Sequence, residues 1–150
     1  MLRTIKSIAI LAIFALLSNS CNEFKNTNPS VDLTEADKTP VGVWKILRAT
    51  RNGEVITDKM DFTQFRLLLN ENGTYTIDDS LPFIVSENGT WSIDDPQYPF
   101  YIKFKENSAE EFMTASFNFP IVNGIRQLNL TFSAGCFRNL YSYTFIEESK

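Results

Sequence analysis

From residue 40 onwards, hydrophobic and polar positions form short segments that are bounded by turn-forming residues. Two of these segments alternate strictly between apolar and polar side chains. Their apolar positions are Phe100, Ile102 and Phe104 in the first and Leu128, Leu130 and Phe132 in the second. Successive side chains of a β-strand point to opposite faces, so a period of two predicts antiparallel strands with one covered and one wetter face.

The complete pattern predicts nine strands, one of them short. They are Gly42–Thr50, Val55–Thr57, Phe65–Leu69, Thr74–Asp78, Thr90–Ile93, Phe100–Phe104, Met113–Phe119, Ile125–Phe132 and Leu140–Ile146. The longest helix-like piece, Ser108–Met113, is only about one and a half turns long. A sheet of eight or nine sequentially paired strands tends to close, because closure removes its edges. We therefore predict an all-β fold, an antiparallel up-and-down meander closing into a small barrel, with a β-sandwich as the alternative.

The first twenty residues have a different character. Arg3 and Lys6 precede an uninterrupted apolar run from Ile8 to Leu17, which has the length of a signal-peptide core and about half that of a membrane span. Small polar residues and then Cys21 follow. Ser18 and Ser20 fit an ordinary secretory cleavage site, whereas a Cys directly after such a site resembles the lipobox of bacterial lipoproteins, whose thiol is diacylated.

These features divide the chain into a signal peptide over residues 1–20, a lipidated Cys21 with a flexible tether to residue 39, and a barrel domain over residues 40–150. An ordered strand around Ser30–Leu33 is the alternative for part of the tether. Two acyl chains meet the requirement for stable anchoring. We expect a lipoprotein of the cell envelope, held in the outer membrane by its N-terminal lipid.

The composition excludes several kinds of catalytic and metal-binding site. The chain has no His and only two Cys, which removes the commonest general base, the commonest metal ligand and Cys-rich zinc sites. The net charge of −4, which becomes −6 when residues 1–20 are removed, argues against a nucleic-acid partner. We expect no enzyme activity, no cofactor and no metal. Cys136 has no partner if Cys21 is lipidated, and we interpret it as a small buried apolar residue.

One motif occurs twice, sixteen positions apart. Glu71–Asp79 and Glu87–Asp95 share an Asn-Gly-Thr-aromatic-hydroxyl-Ile-Asp-Asp pattern. Asn-Gly supplies two residues that tolerate positive φ, so each copy predicts a tight turn leading into a strand. A calcium site formed by the paired aspartates is the alternative, since carboxylates suit that cation.

The order of these pieces resembles the lipocalin superfamily, and more closely the lipocalin-like lipoproteins of Gram-negative anaerobes, a family of largely unassigned function. The resemblance rests on Gly42-x-Trp44 in the first strand, Phe65–Tyr75, Gly89-x-Trp91 and Tyr141–Phe145. It implies that Gly42 permits a bend, that Trp44 plugs the floor of the barrel, and that Arg138 is the cation beside that tryptophan. The chain lacks the long C-terminal helix and the disulfide of lipocalins.

Two functions remain open at this stage. In the first, the barrel binds a small apolar ligand, and the candidate ligand-binding residues are Trp44, Phe65, Tyr75, Trp91, Phe100 and Phe104. In the second, the barrel is solid and the protein binds a partner through its loops, as an interaction or immunity-type protein. The exposed loop around Tyr98 would serve the second function.

Overall fold

A computed structural model describes residues 37–79, 81–134 and 138–148. The predicted signal peptide, Cys21, the tether up to residue 36 and Cys136 lie outside the described residues. The described part contains ten strands, numbered in chain order. They are β1 (Gly42–Arg51), β2 (Glu54–Val55), β3 (Arg66–Leu69), β4 (Thr74–Asp78), β5 (Gly89–Ile93), β6 (Tyr101–Glu106), β7 (Met113–Asn118), β8 (Ile121–Val122), β9 (Ile125–Ser133) and β10 (Leu140–Glu147).

Eight of these strands close into an antiparallel barrel. Neighbours follow the order β1, β3, β4, β5, β6, β7, β9, β10, and β10 pairs with both β9 and β1. The two-residue strands β2 and β8 each extend a hairpin on one barrel strand. The predicted all-β, lipocalin-like meander is confirmed. The sandwich alternative is wrong, because the pairing of β10 with β1 closes a single sheet on itself.

The strand predictions hold to within one or two residues, with two corrections. The first concerns Phe100: β6 begins at Tyr101, and Phe100 is exposed on the outside instead of sharing the inward face of Ile102 and Phe104. The second is β8, which the pattern did not predict. In the part of the chain that the structure describes, no helix is long and apolar enough to cross a membrane.

Alternation along the strands builds the core. In β9, Leu128, Leu130 and Phe132 are buried as predicted. In β1 a register shift between Ile46 and Arg48 changes which positions point inward. Trp44 and Ala49 are therefore both buried although their spacing is odd. A β-bulge of this kind bends a strand and helps a sheet to close.

The barrel has two ends, which are used below to locate the candidate site. The N-terminal end carries Gly42, the β3–β4 turn, the β5–β6 loop and the β8–β9 hairpin. The opposite end carries the β1–β2 hairpin, the β4–β5 connection, the β6–β7 loop and the β9–β10 turn. The described chain enters the barrel at the N-terminal end, through residues 37–41.

The two copies of the repeated motif have different structures. Gly73 has φ of +76° and closes the β3–β4 hairpin, as predicted. Gly89 is the first residue of β5, where a Cβ atom would stand 1.9 Å from the backbone oxygen of Lys105. The prediction of a second tight turn is wrong, because Gly89 is required for close approach of two strands rather than for a turn.

Candidate functional site

The interior of the barrel is occupied by Phe83, which comes from the β4–β5 connection and not from a strand. The ring lies against five other aromatic rings, with centroid distances of 5.4 to 6.2 Å. These neighbours are Phe65, Phe104, Phe132, Tyr143 and Phe145. Ile84 and Val85 are buried beside it. We call residues 81–85 the interior plug.

Hydrogen bonds hold the plug from inside the barrel and from its rim. The Tyr143 hydroxyl donates to the backbone oxygen of Pro82 at 2.5 Å. On the rim, one oxygen of Glu106 accepts from the backbone amides of Ser86 at 2.5 Å and Glu87 at 3.2 Å. The amide of Ser86 is the largest cause of a lowered pKa at Glu106, so this carboxylate stays charged and keeps both bonds at neutral pH.

Two tyrosines are buried in the barrel in their neutral form. Burial raises the pKa of Tyr143 and of Tyr75 far above the ordinary value for tyrosine. The Tyr143 hydroxyl bonds to the plug, whereas the Tyr75 hydroxyl is buried and has no hydrogen-bond partner within the described residues. Neither group therefore supplies a charge or a base to the interior.

Three of the predicted ligand-binding residues meet inside the barrel. Phe65, Tyr75 and Phe104 are all buried, and the rings of Tyr75 and Phe104 are 5.1 Å apart. Phe83 touches both Phe65 and Phe104. The apolar surface that a ligand would need is thus already covered by a side chain of the same protein.

The two tryptophans bond to backbone segments at the N-terminal end of the barrel. Trp44 is buried, and its indole nitrogen donates to the backbone oxygen of Pro40 at 2.7 Å. Trp91 is half-buried on the inward face, and its indole nitrogen donates to the backbone oxygen of Asn70 at 3.2 Å. Each tryptophan thus connects its strand to a neighbouring backbone segment by a hydrogen bond, which is a structural role.

The cation implied for Trp44 by the resemblance to lipocalins is wrong. Trp44 pairs with Glu147 at the end of β10, whereas Arg138 precedes the other end of that strand. A cation close to Trp44 is Arg126 instead. Its guanidinium lies 4.7 Å from the ring centre of Phe119, and that ring packs edge-on against Trp44 at 5.7 Å.

Two clefts of the described chain lie on the outside of the barrel. One, of about 550 Å³, is at the N-terminal end between Lys38, Trp44, Phe119, Ile121 and Arg126. Another, of about 870 Å³, lies beside the start of β1 and the β3–β4 turn. Ligand pockets usually span about 300–1,000 Å³. Both clefts have the size of a ligand pocket, and both lie outside the barrel.

The aspartates of the repeated motif organise the β5–β6 loop. One oxygen of Asp94 accepts from the amides of Phe100 and Tyr101, and one oxygen of Asp95 accepts from the amides of Gln97 and Tyr98. The amide of Tyr101 is the largest cause of a lowered pKa at Asp94. Within the described residues, no three His, Cys, Asp or Glu side chains are grouped closely enough to hold a metal ion.

Two features were missed at the level of sequence. The plug had no periodic signal, since Leu81–Val85 is an apolar run inside a connection. The β8–β9 hairpin did have one. Asn123-Gly124 stands between Ile-Val and Ile, and Asn-Gly between apolar residues is a strong hairpin signal.

Comparison with known proteins gives a family match. No curated protein and no solved structure matches the chain. The sequence model of DUF5004, described as a domain of unknown function, matches residues 20–146, which is more than four fifths of the chain. The chain therefore belongs to the DUF5004 family.

Proposed function

We propose that this protein is a lipid-anchored, non-catalytic lipoprotein of the cell envelope, of lipocalin-like type, whose solid barrel binds a partner through its outer surface. The single observation that carries the proposal is Phe83. Its side chain fills the space between five aromatic rings, where a barrel of this size would otherwise hold one small ligand.

The shifted carboxylates support a non-catalytic protein. Glu106 and Asp94 bond to backbone amides, and Glu148 forms an ion pair with Arg66 at 2.8 Å. In each case the partner lowers the pKa. A general acid or base needs a pKa near the working pH, and these groups are shifted away from it. They are fully engaged in fixing loops and strand ends.

The anchor rests on the sequence. Cys21 follows a ten-residue apolar run, and the family match begins at residue 20, directly before it. The first barrel strand begins only at Gly42. This spacing leaves room for a tether between lipid and barrel, as a surface-attached domain needs.

A ligand-binding barrel is the second candidate, and one observation favours it. Phe83 belongs to a connection and not to a barrel strand, so a ligand would have to displace one segment without breaking the sheet. That ligand would occupy the space of one aromatic side chain, so it would have to be small and apolar.

Titration of the full chain with an apolar fluorescent probe and with a fatty acid separates the two functions. We expect no saturable change at tens of micromolar, roughly ten times a micromolar dissociation constant. Phe83→Ala opens the interior and should create saturable binding. Phe112→Ala, at a residue that is exposed, is the matched control and should behave as the unchanged chain. If the unchanged chain binds the probe saturably, and Phe83→Ala enlarges that binding site, the solid barrel is refuted.

A further inference from the structure

The N-terminal end of the barrel carries a group of apolar side chains that the described chain leaves uncovered. We call it the N-terminal patch, and its members are Tyr98, Phe100, Ile121, Val122 and Ile125. Phe100 is 68% exposed and Ile121 is 61% exposed. Single exposed apolar residues are ordinary, but a group at one end of a small domain marks an interaction surface.

A short hairpin presents the aliphatic part of the patch. Strands β8 and β9 are joined by Asn123 and Gly124, both at positive φ, which is the geometry of a tight two-residue turn. Val122 and Ile125 pair directly across it. The tight turn fixes the backbone of the hairpin, and the apolar residues lie at the tip of the hairpin.

The β5–β6 loop presents the aromatic part. Asp94 and Asp95 accept four backbone amides of this loop, including those of Tyr98 and Phe100. These bonds hold the backbone under both rings. The aromatic side chains are thus displayed by a rigid loop, which lowers the entropy cost of using them in binding.

The described chain begins beside the same loop. The backbone amide of Lys38 donates to the oxygen of Pro96 at 2.6 Å, and its ammonium group lies 5.0 Å from the ring centre of Tyr98. A small cleft of about 250 Å³ joins Lys38 to Phe100 and Phe119. The cleft of about 550 Å³ joins Lys38 to Phe119 and Ile121. The aromatic loop and the aliphatic hairpin therefore border the point where the chain enters the barrel.

We propose that the N-terminal patch rests on the surface of the lipid bilayer that holds the acyl chains of Cys21. This inference rests on the proposed lipid anchor. Fifteen residues, 22–36, separate that anchor from the described chain and span at most about 55 Å when fully extended. This connection joins the barrel at the end that carries the patch. Aromatic residues with a polar edge, such as tyrosine, are enriched where a protein meets the bilayer interface.

The charges around the patch indicate the kind of lipid surface. The cleft between loop and hairpin is lined by two cations, Lys38 and Arg126, and two acids, Asp37 and Glu147. These charges balance, and the whole chain is acidic. Anionic lipids would therefore strengthen the binding of the patch very little. The contact should be formed by apolar side chains on a zwitterionic lipid surface.

Tryptophan reporters at two matched positions test the proposal. Val122→Trp places the reporter in the patch. Val55→Trp places it in β2, next to the Asn52-Gly53 turn at the opposite end of the barrel. The two valines are equally exposed, at 41% and 40%, and both lie in two-residue strands beside a tight turn. Urea midpoints equal to that of the unchanged chain confirm that both variants fold.

The full chain is purified from membranes and reconstituted into phosphatidylcholine vesicles, with or without bromine on the acyl chains. Bromine quenches only nearby tryptophans. Each variant has three tryptophans, so complete quenching of the reporter removes about a third of the emission. We expect a loss approaching this size for Val122→Trp and no loss beyond the unchanged chain for Val55→Trp. Equal quenching of both variants, or of neither, would overturn the proposal and leave a protein partner as the occupant of the patch.

The anchor is measured separately, by the mass of the Cys21 residue and by flotation of the chain with vesicles. The quenching comparison is repeated on a Cys21→Ser background with vesicles in excess. Selective quenching of Val122→Trp on this background would show that the patch docks without the anchor. Absence of an acyl mass on Cys21 of the purified chain, together with selective quenching, would refute the anchor and support the docking surface. Flotation of an acylated chain without selective quenching would refute the docking surface alone.

Discussion

Replacing Phe83 by alanine tests whether the plug stabilises the barrel. The side chain is 6% exposed and contacts five aromatic rings. Removing a buried Phe costs about 3–5 kcal/mol of unfolding free energy through lost transfer energy and the cavity left behind. Because hydrogen bonds of Tyr143 and Glu106 hold the backbone on both sides of Phe83, the cavity should stay open, and we expect a loss of at least about 3 kcal/mol. A domain of ordinary stability, about 5–15 kcal/mol, would remain folded.

Urea unfolding of Phe83→Ala measures this loss directly. With a slope of about 1.5 kcal/mol per M, a loss of about 3 kcal/mol lowers the midpoint by roughly 2 M. Phe112→Ala removes the same atoms from an exposed position and should cost less than about 1 kcal/mol. Equal midpoints for the two variants would refute the reasoning, because they would mean that the Phe83 side chain is not buried in the barrel.

Three further predictions concern other parts of the chain. Cys21→Ser should release the protein from membranes, and a substituted chain that still pellets after a carbonate wash would contradict the anchor. Trp44→Ala should cost about 3–5 kcal/mol of unfolding free energy, whereas Tyr98→Ala should cost less than about 1 kcal/mol, as judged from urea midpoints. The bond from Arg66 lowers the pKa of Glu148 in the folded chain, so its stabilisation is present above the ordinary glutamate pKa and is lost as the pH falls through the lowered value. Glu148→Gln should therefore unfold at lower urea than the unchanged chain at pH 7, and the difference should vanish in acid.

Local patterns predicted the strands well, because alternation is a property of neighbouring residues. The limits of β4, Thr74–Asp78, agree with the prediction at both ends. The same local reasoning failed for Gly89, whose sequence neighbours match those of Gly73. What distinguishes the two glycines is the backbone of Lys105, which lies far away in the sequence. Close approach between distant segments leaves no local signal.

The candidate site was predictable only in part for the same reason. Aromatic residues indicated a rich apolar interior, and Phe65, Tyr75 and Phe104 do meet there. Whether that interior was empty depended on Phe83, which lies in a segment without periodicity. The sequence therefore predicted the lining of the barrel and could not predict what fills it. The outward position of Phe100 depended on where β6 begins, and strand limits are the least reliable part of such predictions.

The pairing of the last barrel strand with the first has a consequence for how the chain reaches its folded state. Trp44 in β1 is opposite Glu147 in β10, more than a hundred residues later. Contacts between such distant segments slow folding, because the loop between them must close before the contact forms. Until β10 is available, β1 and β9 each expose an unpaired edge to which another chain can add. The barrel thus closes only after nearly the whole chain has been delivered, and a chain that ends before Leu140 keeps two open edges that favour aggregation.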